Sequence, residues 1–412
     1  MMRGFRKTLL AAASVLATAG LAGTASADDV RLGFLVGFSG DMAPWAGALN
    51  NGAILAVEEI NAAGGINGNK VVLVPEDNAS TAAGGVRGAQ KLINVDNVSA
   101  IIGPESDPIM AILSLAKDSK TPVISTSAGT EGLDDAGGTG KYIYRTNASD
   151  SFLGVVHAKL LLDEIGQKEI VLVVENLEGT LSGANTFIRN YEKMGGKVVK
   201  KVVLAPGQSS YLNEIREVAD ANPEGVIFLA TGQTAGVNFV KQAYQRGYDW
   251  KYWVTSDLQN QDFVDAAGVE IVKGTTNPVS SQVEGAEGWQ RFAEAYEARF
   301  GEAPQSGFYQ AETYDAVILA ALAAAAAGVA EGEAIDAQLL PVSRDGEKVY
   351  SFADGVKALA EGKDIDYEGA SGPVDFTDTG NVTIPATRIL VVDDNGQWVS
   401  TKTIDTSEYP AN

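Results

Sequence analysis

Cysteine is absent from all 412 residues of the chain. This absence excludes disulfide bonds as a source of stability, and it excludes a cysteine that could accept a lipid anchor. Stability must therefore come from a buried hydrophobic core. A chain of this length can build such a core in about two domains of ordinary size.

Histidine is almost absent too, since His157 is the only one in the chain. A single histidine excludes a His-rich metal site and the H-E-x-x-H motif of zinc proteases. His157 falls in a stretch with helical periodicity, residues 152–162, and the chain has no G-x-S-x-G turn for a catalytic serine. We therefore expect His157 to be a partly exposed helix residue, and we expect neither a metal nor a cofactor.

Positive charge is scarce, because 31 lysines and arginines stand against 53 aspartates and glutamates, which gives a net charge of -22. An acidic surface repels the phosphates of nucleic acids and anionic lipids, so neither is an expected partner. The overall charge says little about a small ligand, because a binding site can differ locally from the average.

Enzyme and nucleotide signatures are mostly lacking. Residues 137–141 lack the first glycine of a P-loop, and Tyr142 stands where that motif needs a hydroxyl for magnesium. Ser114 and Lys117 do form an S-x-x-K motif, as in penicillin-recognising serine enzymes, but the companion S-D-N and K-T-G motifs are missing. A surface pair on one helical turn explains these two residues, and a serine enzyme stays open as an alternative.

The N-terminus has the order of a secretory signal peptide: the cations Arg3, Arg6 and Lys7, then the apolar residues 8–24, then Ala25-Ser26-Ala27. We expect cleavage after Ala27, so that residues 1–27 are removed. A membrane anchor is the alternative, but Gly20 and Gly23 interrupt the run, which is shorter than the roughly 20 apolar residues that a span needs. The mature protein is therefore expected to be soluble in the periplasm.

Short apolar runs alternate with helical periodicity in two successive series, which predicts an α/β fold with two parallel sheets. The first series has predicted strands at residues 30–36, 71–75, 100–103, 123–125 and 142–145, and helices at 46–63, 82–95 and 109–119. The second series has predicted strands at residues 170–174, 198–204, 226–230, 252–255 and 271–272. Each series predicts one doubly wound, Rossmann-like lobe.

The C-terminal part departs from this alternation. Alanine-rich residues 320–327 follow a helical pattern and predict one long core helix, since alanine is the best helix former. Residues 388–392 and 397–399 flank the turn-forming residues 393–396 and predict a β-hairpin.

Small hydroxyl residues are common where predicted strands of the first lobe meet helices, at residues 38–40, 103–107 and 125–130. In open α/β sheets, ligands bind at the carboxyl ends of strands, where free helix amides attract anions. These junctions therefore suit a carboxylate. Helix capping by serine and threonine is the alternative explanation.

Several segments resemble the periplasmic leucine/isoleucine/valine-binding proteins of ABC importers, in the right order over nearly the whole mature chain: residues 39–47, 59–68, 101–104, 122–125 and 314–316. The resemblance implies a type I periplasmic binding protein, whose two lobes are joined by three crossovers and close on a ligand. The crossovers are expected near residues 146–147, 276–277 and 373–375. Lobe one would comprise residues 28–146 and 277–373, and lobe two residues 147–276 and 374–412.

The resemblance also implies which residues contact the ligand. Hydroxyl and main-chain groups of lobe one would hold a carboxylate, and the matching residues are Ser106, Ser127, Ala128 and Thr130. Asp257 matches an acid of lobe two that holds the ligand ammonium, although its place between a strand and a helix would also suit an N-cap. Trp45 and Tyr309 match aromatic residues that contact the ligand.

Two segments of lobe two depart from the family pattern. Residues 178–180 are Glu-Gly-Thr and residues 231–233 are Thr-Gly-Gln, and neither segment has the aromatic residue expected there. Thr180, Thr231 and Gln233 are thus expected to line a wall that is smaller or more polar than that of an aliphatic amino-acid binder.

The sequence therefore predicts a monomeric solute-binding protein, not an enzyme, that delivers an amino acid or related small carboxylate to a membrane ABC permease. One alternative keeps the fold but changes the ligand to an amine-free aromatic acid, amide or urea. Another is a periplasmic serine hydrolase that uses Ser114 and Lys117. The sequence does not distinguish delivery to a permease from presentation of the bound ligand to a sensor.

Overall fold

A computed structural model describes residues 29–223, 225–281, 285–305 and 307–406. The predicted signal peptide lies outside this part of the chain. Two larger sheets organise the structure, and both are covered by helices on their two faces.

The first sheet is entirely parallel, with strand order β2-β1-β3-β4-β5. Its elements in chain order are β1 (Val30–Val36), α1 (Ala43–Ala62), β2 (Val71–Asp77), α2 (Ala82–Asn94), β3 (Ala100–Ile102), α3 (Ser106–Ser119), β4 (Val123–Ser125) and β5 (Ile143–Arg145). Successive residues of β1 face opposite sides, so Phe34 packs in one core cluster and Leu35 in another. This two-sided burial is why the strands are continuous apolar runs.

The chain then builds most of the second sheet. The elements are α4 (Asp150–Leu160), which continues as a π-helical turn (Leu161–Ile165), β6 (Glu169–Glu175), α5 (Glu178–Lys193), β7 (Lys197–Leu204), α6 (Leu212–Asp220), β8 (Val226–Ala230), α7 (Gln233–Gln245), β9 (Lys251–Val254), α8 (Gln261–Ala267), α9 (Val269–Val272) and β10 (Thr276–Ser281). Leu172 and Val173 on β6 again face two different clusters.

The remaining elements are α10 (Glu287–Phe300), α11 (Gln310–Ala327), α12 (Gly332–Leu339), β11 (Glu347–Val349), α13 (Phe352–Ala360), β12 (Ile365–Tyr367), β13 (Ala386–Val392) and β14 (Trp398–Asp405). Helices α10, α11 and α13 pack on α1 beside the first sheet. Strands β11 and β12 form a small parallel pair. The predicted hairpin, β13 and β14, completes the second sheet in the order β14-β13-β10-β9-β8-β6-β7.

The prediction of two doubly wound lobes is confirmed, but the strand predicted at residues 271–272 is wrong. These residues belong to the single helical turn α9, which starts after Gly268, where φ is +101°. The amide of Lys273 donates to the carbonyl of Val269 and closes that turn. The actual strand is β10. Its residues are mostly polar, so its sequence carries only a weak strand signal. Pairing with the neighbouring strands holds it in place.

Two of the three predicted crossovers also differ from the chain path. Strand β10 keeps the chain in the second sheet as far as Ser281, past residues 276–277. Beyond residues 373–375 the chain still packs on the first lobe, since the amide of Arg145 donates to the carbonyl of Gly380 over 3.0 Å. We therefore propose that these crossovers lie after Ser281 and between Asn381 and Ala386.

Helix α11 is the predicted alanine-rich helix, and its residues from Thr313 to Ala324 are all buried. Tested by length and apolar composition, no single helix of the described ranges could cross a membrane. Helices α11 and α12 pass that test only as a pair, and the chain bends by 105° between them.

Asp315 is fully buried in α11 and holds together the segment that follows β12. Its carboxylate accepts hydrogen bonds from the Tyr367 hydroxyl at 2.8 Å and from the amides of Ala370 and Ser371 at 2.8 and 2.6 Å. Burial raises the pKa of Asp315 to about 6, while these hydrogen bonds act in the opposite direction. The carboxylate thus compensates several donors that would otherwise be buried without partners.

Asp315→Ala is expected to lower the free energy of unfolding by about 3 kcal/mol, because it leaves buried donors unpaired. Urea unfolding followed by circular dichroism measures the loss. Glu333→Ala, which removes only an exposed ion pair with Lys120, is the control and should cost less than about 1 kcal/mol. Equal small losses in both variants would contradict a structural role for Asp315.

Candidate ligand-binding cleft

A cleft lies between the two sheets, at the carboxyl ends of their parallel strands. On the first side it is lined by segments after β1, β3 and β4, and on the second by segments after β6, β8 and β9. Strands of a parallel sheet end at one edge, so loops distant in sequence meet there.

Six of the ten residues predicted to contact a ligand line this cleft: Trp45, Ser106, Ser127, Thr180, Asp257 and Tyr309. Trp45 comes from α1, and Ser106 is the first residue of α3. Tyr309 precedes α11 with φ of +58°, an unfavourable conformation for an aromatic residue. Such strain is often kept at functional positions.

The other four predicted residues lie outside the lining. The amide of Ala128 donates to the Ser125 hydroxyl over 2.9 Å, and the Thr130 hydroxyl donates to Glu178 over 2.9 Å. Thr231 is fully buried, and its hydroxyl donates to Glu175 over 2.9 Å. Gln233 begins α7 and lines a separate, shallow depression. These side chains support the walls of the cleft from behind or beside it.

The lobes touch at the edge of the cleft. The bond from Thr130 to Glu178 joins them, and the amide of Glu131 also donates to the Ser182 hydroxyl over 2.8 Å. A Cβ at Gly179 would lie only 3.1 Å from the Ser106 hydroxyl. Glycine in place of the expected aromatic residue therefore allows this close approach.

Aromatic side chains that the sequence analysis missed form one wall. The rings of Phe187 on α5 and Phe228 on β8 stack with centroids 4.4 Å apart, and both line the cleft. Phe228 lies in a predicted strand, but the apolar pattern alone does not show which face of that strand meets the ligand.

His157 is buried rather than partly exposed, which corrects the prediction for this residue. It lies edge-on to Phe228, and its Nδ1 accepts a hydrogen bond of 3.2 Å from the indole of Trp253. Burial lowers the pKa of His157 to about 3, so the imidazole that lines the cleft is neutral. The helical pattern was read correctly, but the aromatic neighbours that cover the ring come from distant strands.

Carboxylates dominate the polar lining of the cleft: Asp41, Glu105, Asp107, Asp150, Asp257 and Glu312. No lysine or arginine occurs among the described lining residues. Sequence reasoning identified only Asp257, because five of these acids occur in ordinary loop or helix-start positions. Only the fold shows that they converge.

Several of these acids have strongly raised pKa values. Burial raises the pKa of Glu105, Asp150 and Glu312 to about 7 in each case. Burial also raises the pKa of Asp257 to about 6, and the nearby charges of Glu175 and Asp41 act in the same direction. Removal from water is the largest cause in each case, since it disfavours the charged form, and the charge of Arg145 opposes it at Asp150.

Among the described residues, five polar atoms of the lining have no hydrogen-bond partner of good geometry, although Glu105 lies beside Ser80 and Asp150 beside Ser182: Trp45 Nε1, Glu105 Oε1, Ser127 Oγ, Asn147 Oδ1 and Asp150 Oδ2. Buried polar atoms are normally paired, so a group of unpaired ones at one place indicates a missing partner. A polar ligand is such a partner.

Asp257 does not cap a helix. The N-cap of α8 is Asn260, whose Oδ1 accepts a hydrogen bond of 2.7 Å from the amide of Phe263. Within the described part of the chain, no hydrogen bond or ion pair reaches the Asp257 carboxylate. The capping alternative is therefore excluded, and the carboxylate stays available to a ligand.

Arg145 is almost fully buried behind the first wall. Its Nη1 donates to the carbonyls of Gly129 and Thr130 over 2.9 and 3.0 Å, and its Nη2 pairs with Asp134. The guanidinium therefore fixes the loop after β4, including Ser127 and Gly129 that line the cleft.

The other motifs of the sequence do not reach the cleft. Ser114 and Lys117 are exposed on α3 and are not part of its lining. Across the described residues, no three acids or histidines are grouped so that they could hold a metal ion.

Comparison with known proteins identifies the family of the chain. A family profile described as "Periplasmic binding protein" matches residues 29–397. Leu/Ile/Val-binding protein homolog 7 of Brucella abortus (strain 2308) is 28% identical over 318 residues, which cover 73% of this chain and 77% of that protein.

Solved structures share the fold. The branched-chain amino acid transporter substrate binding protein LivJ of Streptococcus pneumoniae, in complex with isoleucine, has a TM-score of 0.76 and 25% identity, covering 92% of this chain and 100% of that one. A solute binding protein of an ABC transporter from R. palustris, in complex with benzoate, has a TM-score of 0.73 and 19% identity, covering 91% and 96%. The resemblance inferred from the sequence is confirmed, and the chain belongs to the periplasmic binding protein family, the substrate-binding proteins of ABC transporters.

Proposed function

We propose that this protein binds an amino acid or a closely related small carboxylate between its lobes and delivers it to a membrane ABC permease. The carrying observation is the Asp257 carboxylate, which lines the cleft and has no hydrogen-bond or ion-pair partner among the described residues. Export by residues 1–27 and a monomeric, non-enzymatic mode of action are parts of this proposal.

The ammonium of the ligand would bind near Asp257. An ammonium group donates three hydrogen bonds and accepts none, so it requires acceptors. Asp257 supplies a carboxylate, and the unpaired Oδ1 of Asn147 supplies an uncharged acceptor in the same cleft. A hydrogen bond between charged groups in a partly dry cleft is stronger than one between neutral groups.

The carboxylate of the ligand would bind at the first lobe. Ser106 opens α3, whose first amides have no partner within the helix. The Ser127 hydroxyl is unpaired and lines the cleft. Hydroxyls and helix amides suit a carboxylate, and Arg145 holds the loop that presents them.

An amine-free aromatic acid, amide or urea is the second candidate, because Phe187 and Phe228 form an aromatic wall and a structural neighbour was solved with benzoate. An anionic ligand without an amine would meet six cleft acids and no lysine or arginine in the described lining. The charge of the cleft therefore favours the amine-bearing ligand. Ser114 and Lys117 are exposed and do not line the cleft, so they give no support to a serine hydrolase.

A thermal-shift screen tests the ligand class. Amino acids are expected to raise the melting temperature, since a ligand at 100 times its Kd adds about 2.7 kcal/mol of stability. Benzoate and urea are expected to have no effect. A response to benzoate, with none to any amine-bearing compound, would remove the proposal while leaving the fold intact.

Asp257→Asn is expected to weaken binding of the amine-bearing ligand about 100-fold, because a charged hydrogen bond becomes a neutral one. Isothermal titration calorimetry measures Kd. Asp249→Asn, an exposed acid of the same lobe, removes the same charge outside the cleft and should leave Kd unchanged. If Asp257→Asn binds as tightly as the unmodified protein, the ammonium role is wrong.

A further inference from the structure

The cleft has more carboxyl groups than a simple amino acid needs. A zwitterion with an uncharged side chain brings one ammonium, which one or two acids can balance. Six carboxylates line this cleft, and its described lining offers no lysine or arginine to offset them. The single histidine is kept neutral by burial.

The acids form two adjoining groups, which are linked by Asp41, whose charge also raises the pKa of Asp257. Asp150, Asp257 and Glu312 lie near Tyr309, since the charges of all three raise the pKa of its hydroxyl. Glu105 belongs to the other group and lies after β3, at the edge where the strands of the first sheet end. There, its Oε2 accepts a hydrogen bond of 2.8 Å from the Asn78 amide.

Glu105 is joined in the second group by Asp107 and Asp41. The charge of Asp107 raises the pKa of Glu105, and the charges of Glu178 and Asp41 raise that of Asp107. The cleft thus has an acidic region besides the one assigned to the ligand ammonium.

Unpaired buried atoms point to a ligand rich in donors. Glu105 and Asn147 are only 8% and 6% exposed, and each has an oxygen in the cleft without a partner of good geometry among the described residues, whereas the unpaired Nε1 of Trp45 is a donor. Asn147 Oδ1 can only accept, and Glu105 Oε1 can only accept when its carboxylate is ionised. Asp150 Oδ2 is a third unpaired atom of this kind when its carboxylate is ionised.

We propose that the ligand carries a second cationic nitrogen, which binds at Glu105, so that the preferred ligand is a basic amino acid. This inference rests on the proposed function, because it assigns the first ammonium to Asp257. The indole of Trp45 lines the same cleft and offers a face that attracts cations. Met42, Phe187 and Phe228 provide apolar surface for the methylene chain between the charges.

A metal ion would satisfy the acids less well. No three of the described acids are grouped closely enough to hold one. Acids of both lobes around one cleft match a molecule with more than one cationic group instead.

Calorimetry with matched ligands tests the inference. L-Lysine and L-norleucine differ by the terminal amine, and L-ornithine and L-norvaline form a second such pair. The basic member is expected to bind about 100-fold more tightly in at least one pair, through charged hydrogen bonds at Glu105 and the charges of the neighbouring acids. Cadaverine and putrescine, which lack the carboxylate, test whether the two cations suffice.

Glu105→Gln locates the second cation. It is expected to weaken binding of the basic amino acid about 10-fold and to leave the neutral analogue within about 2-fold, so the neutral analogue also reports on folding. Glu333→Gln, an exposed acid outside the cleft, should change neither affinity. Equal losses for both ligands would contradict the placement at Glu105.

The outcomes separate this inference from the proposed function. If norleucine or leucine binds as tightly as the basic amino acids, the second cation is excluded and amino-acid binding stands. If a diamine binds as tightly as lysine, the second cation is supported and the carboxylate half of the proposed function fails. If no amine-bearing compound binds, both are overturned.

Discussion

Burial of charge is the constraint on which the cleft depends. A charged group removed from water is costly unless hydrogen bonds and opposite charges replace its hydration. Arg145 meets most of this requirement within the protein, through carbonyls of the loop after β4 and through Asp134, and only its Nε lacks a partner among the described residues. Glu105 and Asp150 do not, since each keeps an unpaired oxygen and a pKa of about 7. Arg145 therefore stabilises the wall of the cleft. Glu105 and Asp150 line the cleft and are available to a ligand.

The same constraint explains the departures from the family pattern. Gly179 lets the second lobe approach Ser106, and the amide of Gly232 donates to Glu175 over 2.9 Å. A side chain at either position would crowd its neighbour, since a Cβ would lie 3.1 Å from the Ser106 hydroxyl at Gly179 and 3.2 Å from Glu175 Oε2 at Gly232. Apolar contact comes instead from Phe187 and Phe228, deeper in the second lobe. The cleft therefore combines an aromatic wall with acidic ends, a combination suited to a flexible aliphatic ligand with charged termini.

The sequence predicted the fold well, because strands buried on both faces are continuous apolar runs and their helices have a clear period. It failed at β10, whose polar residues are held by neighbouring strands, and at the isolated apolar turn α9. In the site, the family resemblance identified Asp257, and neither it nor local patterns identified Glu105 and Asp150 as ligand contacts. A carboxylate at a strand end has the same local signal whether it faces solvent or a cleft, so only the packing of two lobes distinguishes these cases.

Acids from both lobes meet in this cleft, which links its charge to its closure. The charge of Asp41 in the first lobe raises the pKa of Asp257 in the second. The charge of Glu178 in the second lobe likewise raises the pKa of Asp107 in the first. Like charges brought together in a partly dry space repel each other. A ligand shifts a conformational equilibrium only through a difference in affinity for the two states. A cationic ligand supplies that difference, because it offsets a repulsion that exists only when the lobes are close.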